Sequence, residues 1–292
     1  MTTLIPNPIS KELQIKLAGL SNFSNDKAIR ESYYSGDFSH IILPLEQSLK
    51  AVLESSNQFD EINVCCIFAK DTSPIRALSQ VYLLYTDGSQ RNNIKANEMR
   101  STSTISPAYS SVISISQYAV YKDNILDFYW HISTDPIKLV TVNNLTNNQA
   151  ELLAIVLAGQ IVLQKQCSSI NSFNTINTAS LNIGDNELDR FHILDNAANL
   201  DFYIISDSSY CISSINSWMQ NWSNTWSLES SKQKPKENID IWKSLYDFIN
   251  LVKQKATLLH IRGHNGNLGN CLADISMEHL NDIRVINQII SG

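Results

Sequence analysis

The sequence predicts an α/β protein in which a mixed β-sheet is flanked by helices, and two observations support this prediction. Three runs rich in apolar and β-branched residues follow one another at 81–85, 111–121 and 125–132. Such runs predict the three strands of an antiparallel meander. Beyond residue 145, helical periodicities alternate with two more strand-like runs, as in other α/β folds. The predicted order is therefore β-β-β-α-β-α-α-β-α, with five strands.

Each predicted element follows from its local pattern. Val81–Tyr85 is apolar on both faces, which predicts a buried strand. The helix predicted from Ala150 to Gln164 has Glu151 in its first turn, where the helix dipole favours an acid. The Ser/Asn-rich stretch 167–199 predicts an insertion. The remaining predictions are strands at 202–205 and 257–261 and helices at 208–219, 239–253 and 270–289.

The N-terminal quarter of the chain has weaker patterns. Helical spacing of apolar residues occurs at 10–20 and 44–53, and an apolar run at 62–68 predicts one strand. We therefore predict two parts, a small α/β appendage of unknown role at 1–78 and a main domain at 79–292. Because every motif described below lies after Val81, the appendage is expected to be dispensable for chemistry.

Composition narrows the classes of function. The formal net charge of the 292 residues is −6, so binding to a polyanion would depend on local patches and on metal ions. The five cysteines form no C-x-x-C pair, which is typical of reduced thiols in an intracellular protein. A basic leader followed by an apolar run is missing from the first residues. We expect a soluble intracellular protein, in cytoplasm or nucleus, without a membrane partner.

Four acidic residues in short motifs are the main functional signal. Asp87 lies in Tyr-Thr-Asp-Gly-Ser, Glu151 in Thr-Asn-Asn-Gln-Ala-Glu, Asp207 in Ser-Asp-Ser and Asp274 in Asn-Cys-Leu-Ala-Asp. Carboxylates brought together by folding repel one another unless protons or cations neutralise them. A site for two Mg²⁺ ions would do so, and two-metal sites cleave phosphodiesters. Taken singly, each acid is equally well explained as a turn or helix-cap residue.

Together with His264 in Gly-His-Asn-Gly, these motifs resemble ribonuclease H of the type 1 class over roughly residues 80–290. The resemblance implies the RNase H-like fold, with a mixed five-stranded sheet. It also implies an endonuclease that cuts the RNA strand of RNA–DNA hybrids and leaves 5′-phosphate and 3′-hydroxyl ends. Two Mg²⁺ ions, or Mn²⁺ as a substitute, would be held by the four acids. His264 would shuttle a proton or assist product release.

The resemblance also implies a set of substrate contacts: Gly88, Ser89, Thr146, Asn147, Asn148, Ser209, Trp218, Trp222, Lys234, Lys236 and Asn270. The segment around 218–243 looks like the family's tryptophan-rich, basic protrusion. It departs from the family pattern, because Asn221, Ser223 and Asn224 stand where basic residues are usual. Weaker, less salt-dependent binding is therefore expected. The spacing of Trp218 and Trp222 is equally typical of a packed core stripe. Asn270 would orient the loop before Asp274 or cap the last helix.

Two other functions remain open from the sequence. One is a non-catalytic nucleic-acid-binding module derived from a retroelement polyprotein, although the presence of all four acids disfavours it. The other is a DNA-cutting relative on the same fold. The Gly-His-x-Gly loop and the tryptophan-rich segment argue against this second alternative.

Overall fold

A seven-stranded mixed β-sheet organises the protein. The computed structural model describes residues 9–19, 25–70, 81–90, 107–172, 200–223 and 238–291. The sheet order is β1-β4-β3-β2-β6-β7, and β5 pairs with β3 outside this path. The strands are β1 Glu61–Ala69, β2 Val81–Gln90, β3 Pro107–Lys122, β4 Ile125–Ser133, β5 Lys138–Asn143, β6 Asp201–Ser206 and β7 Thr257–His260.

Helices cover both faces of the sheet. Alternate residues of a strand point to opposite faces, and β2 accordingly places Leu83 in one core cluster and Leu84 in the other. Helices α1–α3 and α8 pack on the first face, and α4–α7 pack on the second. The helices are α1 Lys11–Ala18, α2 Asp26–Ser35, α3 Ser39–Glu54, α4 Asn147–Ser172, α5 Ser209–Ser213, α6 Met219–Ser223, α7 Ile239–Lys253 and α8 Leu268–Ser291, with a π-helical turn at Ser214–Trp218.

The strand pairings confirm the predicted meander. β2 pairs with β3, and β3 with β4, in antiparallel register. β6 then joins β2 in parallel, and β7 joins β6 in parallel. A parallel pair places the carboxyl ends of both strands at the same edge of the sheet. Asp87, near the carboxyl end of β2, and Asp207, directly after β6, are therefore brought close together.

Two strands enlarge the predicted five-stranded sheet. β5 pairs antiparallel with β3, but none of its six residues is fully buried. Its run Leu139–Val142 is apolar and β-branched, a strand signal that the sequence-based prediction did not use. β1 coincides with the strand predicted at 62–68, and it extends the main sheet by pairing in parallel with β4. The mixed α/β sheet flanked by helices is confirmed, with seven strands in place of five.

The N-terminal helices share the core of the main sheet. Fully buried side chains of this segment, such as Leu17 and Ile29, pack in the same cluster as Leu83 and Trp130. Tyr85 of β2 donates its hydroxyl hydrogen bond to the Ala18 carbonyl at 2.8 Å. The division at residue 78 separates motif-poor from motif-rich sequence and stays a prediction, whereas the hydrophobic core runs across it. None of the described helices is both long enough and apolar enough to cross a bilayer.

Candidate metal centre

Three of the four predicted acids converge at one edge of the sheet. Thr86 of β2 pairs in register with Ser206 of β6, so Asp87 and Asp207 follow neighbouring positions. Glu151 approaches them from the first turns of α4. One carboxylate oxygen from each of these three acids lies within 4.8 Å of the other two. Strand register and one helix therefore assemble a three-carboxylate cluster from distant parts of the chain.

The start of α4 is fixed by a reciprocal pair of hydrogen bonds. The Gln149 amide donates to the Thr146 hydroxyl at 3.3 Å, and the Thr146 amide donates to the Gln149 side-chain oxygen at 2.9 Å. This capping box satisfies two amides at the helix start. The helix also lies directly on Gly88, where a Cβ would stand 2.2 Å from the Glu151 amide nitrogen. Only glycine allows this approach, which brings Glu151 to Asp87.

Burial and mutual repulsion disfavour the charged form of these acids. Asp87 and Glu151 are each 8% exposed. Burial raises the pKa of Asp87 well above its ordinary value, and the nearby Asp207 carboxylate raises it further. Burial likewise raises the pKa of Glu151, with Asp87 and Asp207 adding to the effect. Among the described residues, Glu151 Oε2 is buried without a hydrogen-bond partner. An oxygen cluster with an unpartnered atom fits a hard divalent cation.

Asp207 is held by its surroundings. The Asn270 side-chain amide donates to Asp207 Oδ2 at 3.3 Å, and Asn270 is buried. A Cβ at Gly263 would stand 2.4 Å from the same oxygen, so glycine leaves room for the carboxylate there. Asn270 thus positions Asp207. The helix-cap role is instead taken by Asn267, whose side-chain oxygen accepts from the Asn270 amide at 3.2 Å.

Asp274 lies outside the three-carboxylate cluster. It is on α8, where its Oδ2 accepts a hydrogen bond from Arg30 Nη2 at 2.6 Å. The other arm of the Arg30 guanidinium pairs with Glu278. Burial raises the pKa of Asp274, Glu278 raises it further, and Arg30 opposes the shift. The motifs did not identify Arg30. The sequence does indicate that Glu278 lies beside Asp274, since it follows Asp274 by one turn of the predicted last helix.

His264 sits on the loop between β7 and α8. Its backbone is left-handed, with φ of 50°, and its side chain is 75% exposed. Asp26 of α2 holds this loop, because its Oδ1 accepts from the Gly266 amide at 3.0 Å. Asp26 Oδ2 lies 3.9 Å from His264 Nδ1. The imidazole is therefore accessible to solvent and is tethered through the N-terminal segment.

The substrate contacts implied by the resemblance lie in varied surroundings. Thr146, Asn147 and Ser209 are exposed, and Asn147 Oδ1 accepts from the Gln90 amide at 3.0 Å. Trp222 is buried in the second core cluster, whereas Trp218 is 43% exposed. Ser89 and Asn148 are half-buried, Gly88 is buried beneath α4, and Lys234 and Lys236 lie outside the described residues.

Comparison with known proteins finds similarity to ribonucleases H over part of the chain. A family model described as RNase H matches residues 186–279. Ribonuclease H of Pseudomonas fluorescens strain Pf0-1 is 38% identical over 71 residues, which are 24% of this chain and 44% of that protein. Ribonuclease H of strain Pf-5 is 28% identical over 131 residues, covering 45% of this chain and 63% of that protein. Part of the chain is thus similar to the RNase H family, from residue 186 to residue 279. The chain spans 44% and 63% of the lengths of these two relatives.

The family match and the geometry cover different parts of the site. Residues 186–279 contain Asp207, His264 and Asp274, but they exclude Asp87 and Glu151. Asp87 and Glu151 are linked to the matched segment by strand pairing and by their distance to Asp207. Among solved structures, the RNase H domain of PFV aligns with a TM-score of 0.39 and 20% identity, covering 67% of this chain and 90% of that chain.

Proposed function

We propose that the protein is a metal-dependent endonuclease that hydrolyses the RNA strand of RNA–DNA hybrids. The observation that carries this proposal is the buried cluster of Asp87, Glu151 and Asp207 with its unpartnered Glu151 oxygen. The match of residues 186–279 to an RNase H family model supports the same reaction class, as do relatives named ribonuclease H. Products with 5′-phosphate and 3′-hydroxyl ends follow from the resemblance.

The three clustered carboxylates would hold divalent cations, with Mg²⁺ preferred by their oxygen ligands and Mn²⁺ as a substitute. Two such ions would supply a water of lowered pKa and charge stabilisation at the leaving 3′-oxygen. The protein contributes by fixing its ligands before substrate arrives. Asn270 holds Asp207 in place, and the α4 capping box together with Gly88 holds Glu151. Asp274 is the fourth acid of the proposed ligand set and borders the cluster.

The predicted substrate residues suggest how substrate would be held. The amide side chains of Asn147 and Asn148 can contact base edges or 2′-hydroxyls, the groups that distinguish RNA from DNA. Trp218 presents an exposed ring that could lie against sugars of the DNA strand. His264, exposed on its tethered loop, would accept or deliver a proton as product leaves. Because Trp222 is buried, we assign it to packing in this proposal.

A cleavage assay tests the proposed function directly. An end-labelled RNA–DNA hybrid is incubated beside double-stranded RNA, double-stranded DNA and both single strands, with Mg²⁺ and with EDTA. We expect cleavage of the hybrid's RNA strand alone, and only with Mg²⁺. Ligation of the fragments would reveal 5′-phosphate and 3′-hydroxyl ends. Equal cutting of the DNA duplex, or full activity in EDTA, would contradict the proposal.

A further inference from the structure

Helix α2, from the motif-poor N-terminal segment, reaches the proposed catalytic centre. Asp26 and Arg30 are four residues apart and therefore lie on the same helical face. That face lies against α8 and the loop before it: Asp26 accepts from the Gly266 amide, and Arg30 pairs with Asp274 and Glu278. Two elements of the proposed chemistry, the His264 loop and Asp274, are thus held by a helix that carries no family motif.

Arg30 binds the two acids of α8 as a fork. One guanidinium nitrogen lies 2.6 Å from Asp274 Oδ2, and the other contacts Glu278. The side chains are sheltered, with 28% exposure for Arg30 and 17% for Asp274. A guanidinium keeps its charge under all ordinary conditions and matches two carboxylate oxygens geometrically. Arg30 therefore supplies a permanent positive charge where a divalent cation would otherwise be the counterion.

The position of Asp274 distinguishes it from the other acids. Its oxygens are not among the ligand atoms that lie mutually within 4.8 Å, although Asp274 is among the described residues searched. Two cations cannot approach the same carboxylate oxygen without repelling each other. A metal ion that uses Asp274 must therefore share this carboxylate with Arg30 or displace it.

We propose that Arg30 is a built-in counterion of the centre, which positions Asp274 in the metal-free protein and competes with a divalent cation for it. This inference rests on the proposed metal centre. It makes two predictions of opposite sign for the loss of Arg30. The metal-free protein loses stability, because Asp274 and Glu278 repel one another and the neighbouring acids. Divalent cations bind more tightly, because the competitor is gone. If Arg30 were only a structural ion pair that links α2 to α8, its loss would lower stability without changing cation affinity.

The test compares Arg30→Gln with Lys27→Gln in the full-length chain. Lys27 is on the same helix, and its ion pair with Glu31 is exposed, with 85% exposure for the lysine and 63% for the glutamate. Its substitution removes the same charge without touching α8. Mn²⁺ binding is followed without substrate by loss of the free-ion paramagnetic resonance signal, and Mg²⁺ is measured by competition. Thermal unfolding in EDTA gives the metal-free stability.

For Arg30→Gln we expect Mn²⁺ to bind roughly fivefold more tightly than to the wild type, which corresponds to the loss of one partly sheltered ion pair. The unfolding midpoint in EDTA should fall. Lys27→Gln should change neither quantity appreciably. In an Asp274→Asn background the effect of Arg30→Gln on Mn²⁺ binding should vanish. If Arg30→Gln fails to fold, Arg30→Lys serves instead, because a lysine cannot bridge both acids as a fork. Its Mn²⁺ affinity should shift in the same direction by less.

Unchanged or weaker Mn²⁺ binding in the Arg30 variants would overturn the inference. Unchanged Mn²⁺ affinity with lower stability would identify Arg30 as a purely structural link between α2 and α8. Weaker Mn²⁺ binding would mean that Arg30 assists binding of the cation. Either result leaves the proposed function standing as long as the wild type binds Mn²⁺ and cuts the hybrid. A wild type that binds no Mn²⁺ would overturn both proposals.

Discussion

The two ends of the acidic site differ in their counterions. Asp87, Glu151 and Asp207 form a cluster whose buried Glu151 oxygen has no partner among the described residues. Asp274, at the other end, is paired with Arg30 from the N-terminal segment. In our proposal the first end binds a cation, whereas the second already has one in its own chain, Arg30. Family motifs identify acids at both ends, but the counterion comes from a region without motifs.

The largest expected effect comes from removing the N-terminal segment. A chain starting at residue 79 would expose the sheet face that now packs against Leu17, Ile29 and Leu45. Each fully buried side chain of this kind contributes about 1.5–3 kcal/mol, and a domain is stable by only about 5–15 kcal/mol. We expect the truncated chain to lose cooperative thermal unfolding by circular dichroism. Cooperative unfolding together with full hybrid cleavage would contradict this prediction and support the expectation that the segment is dispensable.

Asp87→Asn should have the next largest effect, and it acts at the cluster end of the site. Loss of one of three clustered ligands should reduce kcat on the order of 10³-fold. The fold should persist or gain stability in EDTA, because one member of a repelling group becomes neutral. Steady-state cleavage and thermal unfolding measure the two effects. Asp240→Asn, on an exposed position of α7, is the control for loss of one acidic charge.

A near-normal rate for Asp87→Asn under saturating Mg²⁺ would show that Asp87 is not a ligand. Lower stability in EDTA would show that its carboxylate is stabilised by contacts other than a cation. Either result would remove the proposed contrast between an end of the site that binds a cation and an end that is paired with Arg30.

A third prediction concerns pH and the cluster. Burial and like charges raise the pKa of Asp87 and Glu151, whereas carboxyls of the unfolded chain titrate near about 4. Above that value the unfolded chain loses protons that the folded protein retains, so stability falls as pH rises. In EDTA, the unfolding midpoint of Glu151→Gln should therefore exceed that of the wild type by an amount that grows from pH 5 to 8. A pH-independent difference would mean that Glu151 titrates normally in the fold.

The sequence predicted the parts of the molecule whose causes are local. The runs at Val81–Tyr85 and 202–205 predicted buried strands, and their carboxyl ends placed Asp87 beside Asp207. β5 was missed although Leu139–Val142 is apolar and β-branched, because its six residues are too few to stand out from a loop and none of them is fully buried. The Arg30 pair was missed because its partners lie 244 and 248 residues away, and no spacing rule links them. Gly88 was predicted to contact substrate. The structure shows another reason for glycine at this position, the close packing of α4 against it.

The smallest expected effect is at Asp26, which probes the tethered loop without touching the acids of the site. Asp26→Ala removes the acceptor of the Gly266 amide, and the loop carrying His264 should become more mobile. We expect kcat to fall a few-fold, less than in His264→Ala, where loss of a proton-transfer group costs about 10²-fold or more. KM and Mn²⁺ binding should stay near wild-type values in both variants.

Asp26→Asn is the matched control, because its side-chain oxygen can still accept from the Gly266 amide. It should keep more activity than Asp26→Ala if the hydrogen bond to the loop is what matters. Equal losses in the two variants would instead identify the negative charge beside His264 Nδ1, 3.9 Å away, as the important feature. A rise in activity on losing Asp26 would mean that the tether restrains the loop from a productive position, and α2 would then oppose catalysis at both of its contacts with the site.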